Sequence, residues 1–100
     1  MKDEILITGS TGFIGRSVND YLKKNLDLNK FQIYTTSRTT NNKSNCLFLD
    51  LEDPSSIFNI KKFSNLKYVI HLAASIGWYD DSNLFTPNVL STGCLSYLCK

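Results

Sequence analysis

One hundred residues, 42% of them apolar, suffice for one small domain with a single core and leave no room for a second. Eleven basic side chains against nine acidic ones give a net charge of +2, and Lys23, Lys24, Lys61, Lys62 and Lys67 are scattered, so the chain lacks the basic stripe of a nucleic-acid binder. The chain reaches its first glycine turn before any long apolar stretch develops, so neither a signal peptide nor a membrane span is expected, and the expected location is cytoplasmic.

Residues 4–8, with the apolar run Ile5-Leu6-Ile7, read as a short buried strand. Gly9, Gly12 and Gly15 then turn the chain into a segment of helical period. Ile14, Val18, Tyr21 and Leu22 are predicted on its buried face, with Arg16, Asn19, Asp20, Lys23 and Lys24 on the other, and Asn25 as its stop. A helix start leaves backbone N–H groups without internal partners and carries partial positive charge, so a pyrophosphate can sit there. Gly9 would make the tight turn, Gly12 would let the backbone approach the phosphates, and Gly15 would let helix and strand pack closely. A flexible turn between two packed elements is the plainer reading of a bare glycine triplet. The rival mononucleotide P-loop is excluded, because the step from Gly9 to Gly15 is one residue too long and Arg16 stands where lysine is needed.

After a loop over 26–30, Phe31, Ile33, Tyr34, Thr35 and Thr36 read as a second strand. Dinucleotide enzymes place an acid near the end of this strand, where it accepts hydrogen bonds from the adenosine ribose and repels a 2′-phosphate. Here the residues are Thr36-Ser37-Arg38. A hydroxyl beside a planar, permanently charged guanidinium suits a phosphate, which favours NADP over NAD. The alternative is that Ser37 and Arg38 are simply exposed residues ahead of the polar loop 39–45.

Cys46-Leu47-Phe48-Leu49 is a continuous apolar run, as in a parallel strand covered on both faces. Cys46 is expected to be a small core residue. The three cysteines, Cys46, Cys94 and Cys99, are odd in number, form no CxxC pair and do not stand at zinc-ligand spacing with His71, so reduced thiols are expected. Asp53 before Pro54 reads as the N-cap of a helix carrying Ile57 and Ile60. Lys67-Tyr68-Val69-Ile70 opens a fourth strand that runs into His71-Leu72-Ala73-Ala74. Small alanines at the carboxyl end of a parallel strand leave room in the crevice where open α/β sheets bind ligands. The loop 75–83 contains Trp78, Tyr79, Asp80 and Asp81, and from Thr86-Pro87 a last helix is expected with Leu90, Cys94, Tyr97 and Leu98 on its apolar face.

These motifs together resemble the extended short-chain dehydrogenase/reductase family, the NAD(P)-dependent epimerase/dehydratases. Thr8-Gly9-Ser10-Thr11-Gly12-Phe13-Ile14-Gly15 is similar to its glycine motif, Asp50-Leu51-Glu52-Asp53 to its Asp-Leu-x-Asp signature, and His71-Leu72-Ala73-Ala74 matches its His-Leu-Ala-Ala element in full. The resemblance implies that Gly9, Ser10, Thr11, Gly12, Phe13, Ile14 and Gly15 cradle the pyrophosphate. It also places Asp50 and Leu51 at the adenine, and Leu72, Ala73 and Ala74 along the cofactor's inner edge. His71 takes a structural role there, without acid/base chemistry. Asn88, Val89 and Thr92 match the family's Asn-Val-x-Gly-Thr-x-Asn helix, whereas Ser91 and Cys94 depart from it.

The implied fold is α/β, a partial Rossmann fold whose parallel strands are ordered 3-2-1-4 with right-handed crossovers. The chain is expected to be the N-terminal part of one NAD(P)-binding domain, truncated before the fifth strand, with the catalytic and substrate-binding parts absent. In the family a Ser or Thr and a Tyr-x-x-x-Lys pair do the proton transfer; Tyr21, Tyr34, Tyr68 and Tyr79 have no lysine four residues on. No catalytic or metal-binding residue is therefore assigned. The expected partners are a dinucleotide and, in a full-length parent, a small-molecule substrate such as a nucleotide-sugar, with a homodimeric parent. A non-catalytic NAD(P)-binding module and a non-functional fragment would carry the same motifs. Exposed apolar area beside the fourth strand is expected to leave the isolated chain prone to aggregation.

Overall fold

The computed structural model of the chain describes residues 1–10, 12–38, 45–50, 53, 55–58, 60, 63–73, 92, 93 and 96. Strands β1 (Asp3–Thr8), β2 (Phe31–Ser37), β3 (Cys46–Phe48) and β4 (Leu66–His71) form one parallel sheet in the order β3-β2-β1-β4. Helix α1 (Phe13–Asn25) links β1 to β2, and the short α2 (Ser55–Phe58) lies between β3 and β4 in the chain. This is the expected partial Rossmann arrangement.

The central strand β1 is apolar on both sides because both sides are covered. Ile5 and Ile7 pack with Ile33 on one face, joined by Leu22 and Leu26 from the α1 side and by Phe31 and Ile70. Leu6 packs on the other with Leu49 and Ile57, joined by Tyr34, Leu47, Phe63, Leu66 and Val69. The ring of Tyr34 meets that of Phe63 edge to face, with centroids 5.2 Å apart. Period-two alternation of side chains thus divides one apolar strand between two cores.

The start of β4 is stitched to the start of β1. The Glu4 backbone N–H donates to the Asn65 carbonyl (2.9 Å), and the buried Glu4 carboxylate accepts the Asn65 backbone N–H through Oε1 (2.6 Å). The Asn65 amide nitrogen donates in turn to Asp3 Oδ1 (2.8 Å). Glu4 then pairs with Leu66 but Ile5 with Tyr68, so Lys67 is an unpaired extra residue, a β-bulge.

Three sequence expectations need correction. Ile14 and Tyr21 are 63% and 65% exposed and do not share the buried face of α1. At about 100° per residue, Leu22 and Leu26 lie within about 20° of the buried Gly15, while Ile14 and Tyr21 lie about 100° and 120° away. Strand β3 lies at the sheet edge, as the order 3-2-1-4 implies, but it is not covered on both faces: Phe48 is 45% exposed, and the buried residue of that run is Leu49, beyond the strand. On the same edge Cys46 is half-buried and outside both cores. The loop 75–83 and the apolar positions Leu90, Cys94, Tyr97 and Leu98 lie outside the described residues. Among the described residues no helix is long and apolar enough to cross a membrane.

Candidate functional site

Parallel strands in the observed registers end together, with Thr8 beside His71 and Ser37 beside Phe48. Almost every candidate residue follows one of these carboxyl ends. Gly9 to Gly15 follow β1, Ser37 and Arg38 close β2, Asp50 follows β3, and Leu72 and Ala73 follow β4. This is the end at which open α/β sheets bind their ligands.

The three glycines do different work. Gly9 has φ +74°, a left-handed conformation that side chains disfavour, and a Cβ there would stand 2.6 Å from the Ala73 nitrogen. A Cβ on Gly15 would stand 1.8 Å from the Gly9 carbonyl oxygen, so the first turn of α1 rests directly on the glycine turn. Ser10 is buried in the same contact, its Cα 2.9 Å from that Cβ position. Gly12 differs: it is exposed, and a Cβ on it would meet only the Gly9 carbonyl oxygen, at 3.4 Å. Gly12 is also the N-cap of α1, in extended conformation, and its N–H donates to the Gly9 carbonyl (3.1 Å). The helix start has no side-chain cap and no acid in its first turn, so its polarity is left for an incoming anion. The Phe13 and Ile14 side chains project outward, and their contribution would come from backbone amides.

Thr8 joins this turn to β4. Its side chain is fully buried, and its Oγ1 lies 2.6 Å from His71 Nδ1 and accepts the Ala73 backbone N–H (3.3 Å). Its carbonyl accepts the Leu72 N–H (3.2 Å). On the far side of the ring, His71 Nε2 lies 2.9 Å from Thr92 Oγ1. Burial holds the His71 imidazole below its ordinary pKa of 6.5, since an apolar environment penalises the charged form. The sequence signal for Thr8 was a hydroxyl inside an otherwise apolar strand, because a buried hydroxyl must find partners.

Beyond β2, Ser37 is half-buried, its carbonyl accepting the Leu49 N–H (2.9 Å), while Arg38 is exposed. Asp50 is held by its backbone: the buried Ser56 hydroxyl accepts the Asp50 N–H (3.0 Å) and donates to the Asp50 carbonyl (3.0 Å). Asp53 accepts the Ser55 N–H (3.2 Å) and the Ser55 hydroxyl (2.6 Å) through Oδ1, the pattern expected of a cap ahead of α2. Ser56 had no role in the sequence reading, since a serine inside a predicted helix gives no sign of reaching back six residues. Thr11, Leu51 and Ala74 lie outside the described residues. Among the described residues no group of three or more His, Cys, Asp and Glu could hold a metal ion.

A family model described as the NAD dependent epimerase/dehydratase family matches residues 5–92. Comparison with curated proteins finds no match. Among solved structures, the chain is similar to uronate dehydrogenase from Agrobacterium tumefaciens complexed with NAD, at TM-score 0.72 and 16% identity, over 99% of this chain and 37% of that one. It is similar to UDP-N-acetylglucosamine 4-epimerase from Bacillus cereus at TM-score 0.70 and 24% identity, over 98% of this chain and 32% of that one. The ADP-L-glycero-D-manno-heptose-6-epimerase of Helicobacter pylori gives TM-score 0.76 and 18% identity, over 98% and 35%. The chain thus spans about a third of the length of these proteins, and at such identities the likeness is one of fold.

Proposed function

The chain belongs to the NAD dependent epimerase/dehydratase family, and from that premise we propose that residues 1–100 are the N-terminal, dinucleotide-binding part of a single Rossmann-type domain. Its parent would be an oxidoreductase-type enzyme acting on a nucleotide-sugar and assembling as a homodimer. The observation that carries the binding role is the glycine turn, where two glycines are demanded by backbone contact and the third, Gly12, is open beside an uncapped helix start. Such a start suits a diphosphate, which needs backbone donors and no competing carboxylate.

In this reading the turn from Gly9 to Gly15 holds the diphosphate, with Ser10, Thr11, Phe13 and Ile14 contributing their backbone. Asp50 accepts from the adenine amino group beside Leu51, and Leu72, Ala73 and Ala74 border the inner half of the ligand. Ser37 and Arg38 receive a 2′-phosphate, so NADP is preferred to NAD. When bound, the nicotinamide accepts and returns a hydride. This chain's residues bind and orient it. The nucleotide-sugar assignment draws on the named activities of the Bacillus cereus and Helicobacter pylori epimerases, whose fold the chain shares.

Titration of the chain with NADPH and with NADH, followed by nicotinamide fluorescence, tests the reading. Saturable binding, tighter for NADPH, is the expected result. Binding of neither nucleotide would overturn the assignment and leave a fragment without a ligand of its own, and tighter binding of NADH would overturn the NADP preference alone.

A further inference from the structure

The Thr8 hydroxyl has one proton to give. Its oxygen accepts the Ala73 backbone N–H, and it stands 2.6 Å from His71 Nδ1. A fully buried hydroxyl is not left with an idle proton when an acceptor is in reach, so Thr8 donates to Nδ1. A neutral imidazole that accepts at Nδ1 carries its proton at Nε2, and that nitrogen faces Thr92 Oγ1 at 2.9 Å, which then accepts. Placing the Thr8 proton on Nδ1 thus sets the direction of the bonds that follow, from Thr8 through His71 to Thr92.

We propose that His71, locked as the Nε2–H tautomer, is a positioning residue that fastens the segment at Thr92 to the glycine turn. The juxtaposition that supports it is a ring standing between the last residue of β1 and a hydroxyl twenty-one positions further along the chain. Thr8 directly precedes Gly9, whose backbone lies against Ala73, so any displacement of Thr92 is carried through the ring to the crevice where the dinucleotide is proposed to lie. The inference rests on the proposed binding function for its effect on affinity, but the tautomer lock stands independently of it.

His71 is the only histidine in the chain, so its two ring nitrogens can be observed without assignment. Two-bond 15N–1H correlation spectra of the 15N-labelled chain at pH 7.5 are expected to show a protonated Nε2 and an unprotonated Nδ1. The Nδ1–H tautomer, or rapid averaging of the two, would overturn the lock. Thr92 is exposed, so Thr92→Val removes the acceptor with little demand on the fold. It is expected to raise the NADPH dissociation constant about three- to tenfold, with Thr92→Ser restoring it, the loss appropriate to one neutral hydrogen bond. Unchanged affinity in Thr92→Val would overturn the positioning role. A wild-type chain that binds no dinucleotide would instead defeat the binding assignment and the positioning role together, leaving the tautomer to be decided by the spectra. If Thr92→Val fails to fold, the wild-type tautomer and the affinity of Thr92→Ala decide in its place.

Discussion

Gly12 and Gly15 stand one helical turn apart and respond to an added methyl group in opposite ways. At Gly15 the methyl would fall inside the Gly9 carbonyl, and backbone cannot retreat as a flexible side chain can, so Gly15→Ala is expected to destabilise the fold by about 3 kcal/mol. Gly12→Ala, in an extended and exposed position, is expected to change stability by less than about 0.5 kcal/mol while weakening NADPH binding about tenfold or more. Chemical denaturation and fluorescence titration of the two variants check this contrast. Arg38→Ala is expected to raise the NADPH dissociation constant about tenfold and to leave that of NADH unchanged, a modest loss because the guanidinium is exposed and screened.

His71 gives the same scale a pH dependence. Its folded-state pKa lies below 6.5, so the unfolded chain binds a proton first. The contribution of the neutral ring is complete above pH 6.5 and is lost as the pH falls from there through the depressed folded value. Unfolding midpoints measured at pH 7.5 and pH 5 are expected to drop more for the wild type than for His71→Gln, which has no ring to protonate.

At the scale of elements, Ser56 shows how a four-residue helix can matter. Both hydrogen bonds of its hydroxyl go to the Asp50 backbone, so Ser56→Ala is expected to cost about 1–2 kcal/mol and to weaken binding of the adenine half of the nucleotide. Denaturation and titration with adenosine diphosphate check this. Strand order, the glycine turn and the stop of α1 at Asn25 were legible in the residues: the order from the succession of strand and helix segments joined by right-handed crossovers, the other two from glycine spacing and a local helix stop. The rotation of α1 was not. Its apolar residues alone place the buried face nearer Ile14 and Tyr21, but the helix is set by Gly15, which carries no hydrophobic weight and yet makes the closest contact. The open face of β3 was hidden for a similar reason: its edge place follows from the order 3-2-1-4, but Cys46-Leu47-Phe48 reads as covered on both faces whether or not anything lies over Phe48.

At the scale of the whole sheet, the best-covered strand lies inside and, among the described residues, β4 is an edge. Tyr68 on that strand is 55% exposed, and Phe13, Ile14 and Tyr21 add apolar surface elsewhere. Unpaired strand edges of this kind recruit other chains. Light scattering over a dilution series is expected to show concentration-dependent self-association of the 100-residue chain, reduced in Tyr68→Lys.

The supernumerary Lys67 works as a phase shifter between two parts of one strand. Leu66 and Val69 stand three residues apart and would face opposite sides of a regular strand; the bulge at Lys67 lets both pack on the core of Leu6. Loss of that single codon would therefore leave Val69 opposite Leu6, Ile70 opposite Ile7 and the lone imidazole beside its threonine in an unbroken ladder, so deleting this one lysine should harm the fold far less than deleting any paired residue of the strand.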